Sequence, residues 1–227
     1  DRDSVKIALT GTPLVDTRHG NSTKQVFGDY IHKYFYNQSI ADGYTLKLLR
    51  EEVRTEFKLK MQEIMRDLKE VKGLVDLEDV FKHENYVNPF ADYIVEDYMR
   101  SQIALGDESI GAMVVAHSSA QARALYKRIS EMDQDISCEL ILHAEGPKDE
   151  RKAITDNFRR DDSNIDILIV FNMLLTGFDA HRLKKLYLGR PIKAHNLLQA
   201  LTRVNRPYKD MAHGYVVDFA DIIEEYD

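Results

Sequence analysis

The chain has 227 residues, of which 44% are hydrophobic and 30% are charged, and its formal net charge is −7. No apolar run is long enough for a membrane span, and the acidic total argues against a protein that is generally coated with basic groups for nucleic acid. The only cysteine, Cys138, precludes an intrachain disulfide and is compatible with a reducing cytoplasm. Because the first residues also lack the pattern of a signal peptide, we expect a cytoplasmic protein with no membrane contact.

The first hundred residues begin with a short strand and then become largely helical. Residues 5–9 read as a strand that ends in the tight turn Thr10-Gly11-Thr12-Pro13. A second strand is predicted at 44–49. Apolar residues then recur at helical spacing over 54–72, before Gly73, and a second helix is predicted at 89–105, before Gly106.

From residue 110 onward the pattern becomes a regular alternation of strands and helices. The predicted strands are 111–116, 138–142, 165–171, 185–188 and 215–219, and the last of these is expected to close the sheet. The predicted helices are 119–132, 147–160 and 197–205. Such alternation implies an α/β fold with a mostly parallel sheet, right-handed crossovers and flanking helices.

A basic segment lies near the carboxyl end of this acidic chain. Between residues 182 and 209 there is no carboxylate, and the cations are Arg182, Lys184, Lys185, Arg190, Lys193, Arg203, Arg206 and Lys209. A local patch of this kind is typical of a surface that binds phosphate groups. The alternative is an ordinary solvated face. If the patch grips a duplex backbone, Lys184, Lys185 and Lys193 are the candidate contacts.

The most specific pattern in the patch is Gln199-x-x-x-Arg203-x-x-Arg206. On a helix these offsets place all three side chains on one face. Two guanidinium groups and an amide arranged in this way suit a polyphosphate, where arginine stabilises the charge of a transferring phosphoryl group. Surface salt bridging is the alternative.

A polar turn follows the buried strand predicted at 165–171. Gly177 allows close approach of the backbone to a ligand, Thr176 can donate to a phosphate oxygen, and Asp179 can accept from a ribose hydroxyl or an arginine. Ligands of open α/β sheets bind at the carboxyl ends of the strands. The alternative is a loop that is simply rich in turn-forming residues.

A phosphate-cradling loop is missing from the sequence. No Gly-x-x-x-x-Gly-Lys-Ser/Thr occurs, and Gly20-Asn-Ser-Thr-Lys24 lacks its core. ATP hydrolysis by a motor of this type requires that loop and a carboxylate that holds the metal. We therefore expect the chain to begin after the lobe that holds ATP, and to have no ATPase activity alone.

Several motifs in order resemble the motor (R) subunit of type I restriction endonucleases, within superfamily 2 of helicases and translocases. They are the segments 8–13 (ALTGTP), 174–180 (LLTGFDA), 198–207 (LQALTRVNRP) and 214–218 (GYVVD). The resemblance implies two RecA-like lobes and ATP-driven translocation of double-stranded DNA. Residues 1–36 would be the end of the first lobe, and residues 37–227 the second lobe with a helical insertion at about 54–105.

The resemblance also implies roles for individual residues. Arg203 and Arg206 fall in the arginine-bearing sixth motif and would be catalytic. Gln199, Thr176, Gly177 and Asp179 would bind nucleotide; Thr10, Gly11 and Thr12 would couple the nucleotide to the DNA track; and His117, Ser118 and Ser119 would contact the DNA backbone.

The complete subunit is expected to use ATP and Mg²⁺, and its partners would be double-stranded DNA and the modification and specificity subunits of a restriction complex. This chain alone is expected to hold no cofactor tightly and has no cluster with metal-ligand spacing. Two alternatives remain. One is another superfamily 2 motor, such as a repair helicase. The other is a non-catalytic RecA-like module that binds nucleic acid or a partner protein.

Overall fold

The computed structural model describes residues 7–10, 22–73, 76–132, 135–175, 177–192 and 194–219. The strands are β1 (Lys47–Glu51), β2 (Gly111–Val115), β3 (Cys138–Ile141), β4 (Ile167–Val170), β5 (Leu183–Leu188) and β6 (His213–Asp218). The helices are α1 (Thr23–Phe27), α2 (Tyr36–Ala41), α3 (Thr55–Glu70), α4 (Leu77–Lys82), α5 (Glu84–Leu105), α6 (Ser119–Ser130), α7 (Lys148–Phe158) and α8 (Ala194–Leu201).

The six strands form one sheet in the order β1-β6-β5-β2-β4-β3, and every pairing is parallel. The predicted α/β fold, a RecA-like parallel sheet flanked by helices, is confirmed. The expectation that the last strand closes the sheet is wrong, because β6 lies between β1 and β5 and the edge position belongs to β1. In register, Lys185 of β5 lies beside Ala112 of β2 and Tyr215 of β6.

Both faces of the sheet are covered, as is usual for parallel strands. Helices α3 to α6 supply side chains to the apolar cluster on one face. The cluster on the other face contains Phe158 at the end of α7, Ala200 of α8, and residues from the segment between β4 and β5. Every residue of β2, β4 and β5 is buried, so a polar side chain in these strands has to find its partners inside the protein.

The region predicted as a helical insertion contains three helices, α3, α4 and α5. Helix α5 begins at Glu84, five residues before the predicted start, and carries Pro89 in its first turns. Its beginning is capped by His83, whose Nδ1 accepts from the amide of Asn85 at 3.1 Å. Burial of Tyr86, Val87 and Phe90 offsets the backbone hydrogen bond that a proline removes. Across the described ranges, no helix combines the length and hydrophobicity needed to cross a membrane.

Candidate functional site

The two arginines of the candidate site lie beyond the helix that was predicted to carry them. Helix α8 ends at Leu201, whereas Arg203 is in the following turn and Arg206 in a bend. The expectation that they share one helical face with Gln199 is therefore wrong. Pro207 explains the conformation of Arg206, because a proline disfavours the helical conformation of the residue before it. We refer to residues 202–209 as the arginine loop.

The arginine loop nevertheless contacts residues 177–179, so the two segments that the sequence predicted to be functional lie side by side. Nη1 of Arg203 donates to the carbonyl oxygen of Phe178. Nε of Arg206 lies 3.2 Å from Oδ1 of Asp179, in an ion pair whose geometry is not that of a hydrogen bond. Nε of Arg203 also donates to the carbonyl oxygen of Gln199 at 3.0 Å. The segment 177–179 is thus in contact with both arginines that were expected to act with it.

Positive charge exceeds negative charge at this point. The ion-paired side chains are 38% exposed for Arg206 and 51% exposed for Asp179, so both can be reached from solvent. Burial, together with the nearby charge of Arg206, lowers the pKa of Arg203 below the ordinary value of an arginine. Lys184 lies beneath the loop, and the charge of Asp179 acts on Lys184 and Arg203 as well as on Arg206, so three cations share one carboxylate. An anion placed here would be stabilised by charge and by planar guanidinium donors.

The segment 177–179 does not lie at the carboxyl edge of the sheet, where the sequence placed it. The carbonyl oxygen of Asp179 accepts from Nε of Arg159 at 3.0 Å, and Arg159 directly follows α7. Helix α7 precedes β4 in a parallel sheet, so its last residues lie toward the amino ends of the strands. The connection from β4 to β5 therefore leaves the carboxyl edge at Phe171 and has crossed the face of the sheet by Asp179.

Lys184 and Lys185, which were expected to contact DNA, are in the interior, and that expectation is wrong. Their residues are 0% and 2% exposed, because β5 is a central strand with both faces covered. Nζ of Lys184 donates to the carbonyl oxygen of Arg206. Nζ of Lys185, on the other face, lies 2.6 Å from Glu51 and 2.7 Å from Asp97.

The basic segment as a whole is not a surface patch. Arg182 is also buried, and its guanidinium donates to the carbonyl oxygens of Ser109 and Ile165, each at 2.7 Å. Lys209 is exposed but pairs with Asp107 at 2.7 Å. Only part of the predicted phosphate-binding patch can therefore face a ligand.

At the carboxyl edge, the residues after β2 form a second candidate site. Ser118 is the N-cap of α6, and its hydroxyl accepts from the amide of Gln121 at 3.1 Å. The ring of His117 packs on Phe81 with a centroid separation of 4.3 Å. Burial and the charge of Arg190 lower the pKa of His117, which favours the neutral imidazole. Ser119, in the first turn of α6, is half-buried.

Two residues at this edge were not singled out as site residues from the sequence. Nη2 of Arg190 donates to Oδ1 of Asn172 at 2.7 Å and to the carbonyl oxygen of Phe171 at 3.3 Å. The described residues contain no carboxylate that pairs with Arg190, a cation whose pKa is lowered by burial. Arg190 follows β5 and Asn172 follows β4, so the available signal was their position directly after buried strands.

Four of the predicted site residues, Gly11, Thr12, Thr176 and Lys193, lie outside the described residues. Thr10 is within them and is exposed. Gly177 has a φ of +70°, a conformation that favours glycine, and a Cβ there would meet no atom within 4 Å. Glycine is therefore favoured at 177 by the backbone conformation. Crowding is not the reason, because a side chain there would have space.

Two family models match the chain. One, described as type I restriction enzyme subunit R domain 3, matches residues 116–221. The other, described as SWI2/SNF2 ATPase, matches residues 2–80. The arginine loop, the segment 177–179 and the carboxyl-edge residues all lie within the first match.

A curated relative and two solved structures agree with these matches. A protein of Methanocaldococcus jannaschii, described as the endonuclease subunit of type I restriction enzyme MjaIXP, is 30% identical over 96% of this chain, which spans 23% of the relative. The chain thus spans about a quarter of the length of this relative. A fragment structure described as an HsdR subunit from Vibrio vulnificus gives a TM-score of 0.59 at 15% identity, covering 86% of this chain and 36% of that one. The type ISP restriction-modification enzyme LlaBIII bound to DNA gives 0.55 at 12% identity, covering 90% and 14%. The structural likeness concerns the fold.

Proposed function

Because this chain is related by sequence to a segment of type I restriction enzyme R subunits, we propose that it forms the second half of an ATP-dependent motor on double-stranded DNA. Residues 37–227 would be the second RecA-like lobe, with α3 to α5 as its helical insertion. Residues 1–36 would complete the first lobe. The whole subunit would then be a DNA translocase and endonuclease that works with modification and specificity subunits.

The observation that carries the proposal is the contact between the arginine loop and the segment 177–179. Arg203 and Arg206 lie against Phe178 and Asp179, and positive charge is in excess there. Arg206 would stabilise the charge that develops on the transferring phosphoryl group of ATP, since arginine supplied from a facing lobe acts in this way. Asp179 would hold the Arg206 side chain until nucleotide binds. Gln199, Thr176 and Gly177 would complete the nucleotide contacts.

ATP and Mg²⁺ would be held mainly by the first lobe. The residues of this chain fit the phosphate end of the nucleotide, since guanidinium groups are donors for phosphate oxygens. The described residues contain no cluster of His, Cys, Asp or Glu that could hold a metal ion. Mg²⁺ held by the first lobe would neutralise phosphate charge, while this chain would supply Arg203 and Arg206.

The exposed apolar side chains of residues 26–36 support the assignment of this segment to another lobe. Ile31 is 90% exposed and Phe35 is 62% exposed, and Val26 and Phe27 are exposed as well. Exposed apolar residues that cluster in this way are typical of a covered interface. In the proposed subunit they would pack on the remainder of the first lobe, with Thr10, Gly11 and Thr12 coupling nucleotide to DNA.

The DNA backbone would pass along the carboxyl edge of the sheet. Arg190 lies there beside Asn172 and His117, and Ser119 is in the first turn of α6, which directly follows. Arginine, amide groups and helix N-termini are frequent donors to DNA phosphates, and such contacts position a duplex without reading its sequence. This edge replaces the buried Lys184 and Lys185 as the proposed backbone contact.

The test of the proposed function is ATP turnover by a full-length subunit that contains this chain, in the presence of duplex DNA. Arg206→Ala is expected to lower turnover by roughly a hundredfold or more, because a positioned arginine of this type stabilises the transition state by several kcal/mol. Arg160→Ala is the matched control, since Arg160 is exposed and pairs only locally with Asp162. Turnover of Arg206→Ala within a few-fold of the control would contradict the proposal.

A further inference from the structure

Three successive carbonyl oxygens of the arginine loop each accept a hydrogen bond from a donor in a different part of the chain. The carbonyl oxygen of Asn205 accepts from the amide of Leu46, just before β1, at 2.6 Å. That of Arg206 accepts from Nζ of Lys184 in β5. That of Pro207 accepts from Nδ1 of His181 at 2.9 Å. The backbone that carries the Arg206 side chain is therefore fixed from three sides.

Of the three donors to these carbonyl oxygens, Lys184 is the unexpected one, because a lysine side chain is seldom fully buried. It is 0% exposed, in a strand whose other positions are also buried. Its ammonium group lies 5.9 Å from the centroid of the Tyr208 ring and forms no ion pair with a carboxylate among the described residues. Burial, and then the charge of Arg206, lower the pKa of Lys184 to about 8, although Asp179 opposes this. An apolar side chain would avoid this desolvation penalty.

We propose that Lys184 is a positioning residue for Arg206, which it holds in place through the Arg206 carbonyl oxygen. This inference rests on the proposed catalytic role of Arg206. The Arg206 side chain is 38% exposed although its Nε is buried, and its ion-pair partner Asp179 is 51% exposed, so this contact alone does not fix its location. The hydrogen bond from Lys184 fixes the start of that side chain from inside the protein.

This role predicts a particular kinetic signature. Misplacement of a catalytic group by about an ångström can lower a rate by up to a hundredfold. A group that acts on the transition state changes kcat, whereas a group that binds substrate uniformly changes KM. Loss of the Lys184 hydrogen bond should therefore lower kcat and leave the KM for ATP nearly unchanged.

The experiment is steady-state ATP turnover by the full-length subunit with Lys184→Met, which removes the donor and the charge and keeps most of the volume. The expected result is a kcat lowered about tenfold, with KM for ATP within about twofold of wild type. Thermal unfolding is followed in parallel and should not begin at a lower temperature. Lys184→Arg, which keeps a charged donor, should recover part of kcat.

Lys185→Met is the matched control, because Lys185 is the next residue of β5 and is equally buried but faces the other side of the sheet. Tyr187→Phe, which removes one hydrogen bond to Asp97, is the milder control. Measured below their unfolding temperatures, both should keep the wild-type kcat.

A kcat of Lys184→Met within twofold of wild type, while Arg206→Ala is inactive, would overturn the positioning role and leave the proposed function intact. Equal loss of kcat in Lys184→Met and both controls would also overturn it, by showing a general effect of disturbing β5. If Arg206→Ala itself keeps full turnover, the proposed function fails first.

Discussion

The two faces of β5 carry adjacent buried lysines in opposite electrostatic settings. On the arginine-loop face, Lys184, Arg203 and Arg206 share the charge of one carboxylate, Asp179, which is ion-paired with Arg206. On the face covered by α5, Lys185 lies between two carboxylates, Glu51 and Asp97, and also donates to Ser101. The first arrangement leaves positive charge for an anion to neutralise, whereas in the second the lysine charge is more than balanced by two carboxylates of the protein.

This difference distinguishes the candidate site from a structural joint, by which we mean the ion pairs of Lys185 that connect β5 to β1 and α5. Lys185 joins β5 to β1 through Glu51 and to α5 through Asp97, which also accepts from the hydroxyl of Tyr187 at 2.8 Å. Every charged group in that joint has an internal partner. The arginine loop has donors and charge that its own carboxylate does not exhaust, which is the condition for binding a phosphate group.

The largest difference expected between the two lysines is in their contribution to stability. Lys185→Met should lower the free energy of unfolding by about 3 kcal/mol or more, because it removes a buried cation from between Glu51 and Asp97 and leaves these partly buried carboxylates facing each other without it. Lys184→Met should stay within about 1 kcal/mol of wild type at pH 7, since removing the buried charge offsets the lost hydrogen bond. Urea unfolding of the two variants measures both values.

Equal destabilisation by the two substitutions would contradict the difference drawn between the faces. Tyr187→Phe serves as the control for a change in the same strand that removes a hydrogen bond and no charge. It should fall between the two lysine variants.

The second prediction concerns pH. The pKa of Lys184 falls from an ordinary value of 10.5 to about 8 in the folded chain. Below pH 8 both folded and unfolded states are protonated at this residue, so it contributes no pH dependence. Between pH 8 and 10.5 the unfolded state binds the extra proton, so stability should rise with pH, by on the order of 3 kcal/mol.

The difference in unfolding free energy between wild type and Lys184→Met isolates this contribution from other titrating groups. Wild type should gain on the variant as pH rises through that window. Parallel curves for the two proteins would show that Lys184 has the ordinary pKa of a lysine. That result would contradict the desolvation that the structure indicates.

The smallest expected effect lies at the carboxyl edge. In the full-length subunit, Arg190→Met should weaken duplex binding evenly across sequences. It should also reduce the slope of log affinity against log salt by about 0.9, the value for one lost phosphate contact. Arg160→Met, the same change at an exposed and locally paired arginine, should leave the slope unchanged. If Arg190→Met also leaves it unchanged, the duplex does not touch this edge.

Much of the fold could be predicted because its signals are local. Strands such as β2 and β4 are continuous apolar runs, and the helices after β2 and β3 start next to Ser118 and Pro147, both of which are typical of helix starts. The place of β6 inside the sheet could not be predicted, because strand order depends on which edges pair in three dimensions. Helix α4 was missed because it has only six residues.

The structure places the predicted Arg203 and Arg206 against Phe178 and Asp179, but not in the predicted geometry. The spacing of Gln199, Arg203 and Arg206 fits a helix, yet α8 ends at Leu201, before both arginines. Lys184 and Lys185 read as surface residues because two adjacent lysines seldom lie inside a protein. Only the structure shows that β5 is central and that each lysine reaches a partner on a different face.

The most direct test of the central claim is a structure of the full-length subunit with a non-hydrolysable ATP analogue and duplex DNA. The account predicts that the Arg206 guanidinium leaves Asp179 and lies within hydrogen-bonding distance of the terminal phosphate, while the Arg206 carbonyl oxygen still accepts from Lys184. A bound analogue whose phosphates are out of reach of both Arg203 and Arg206 would contradict it.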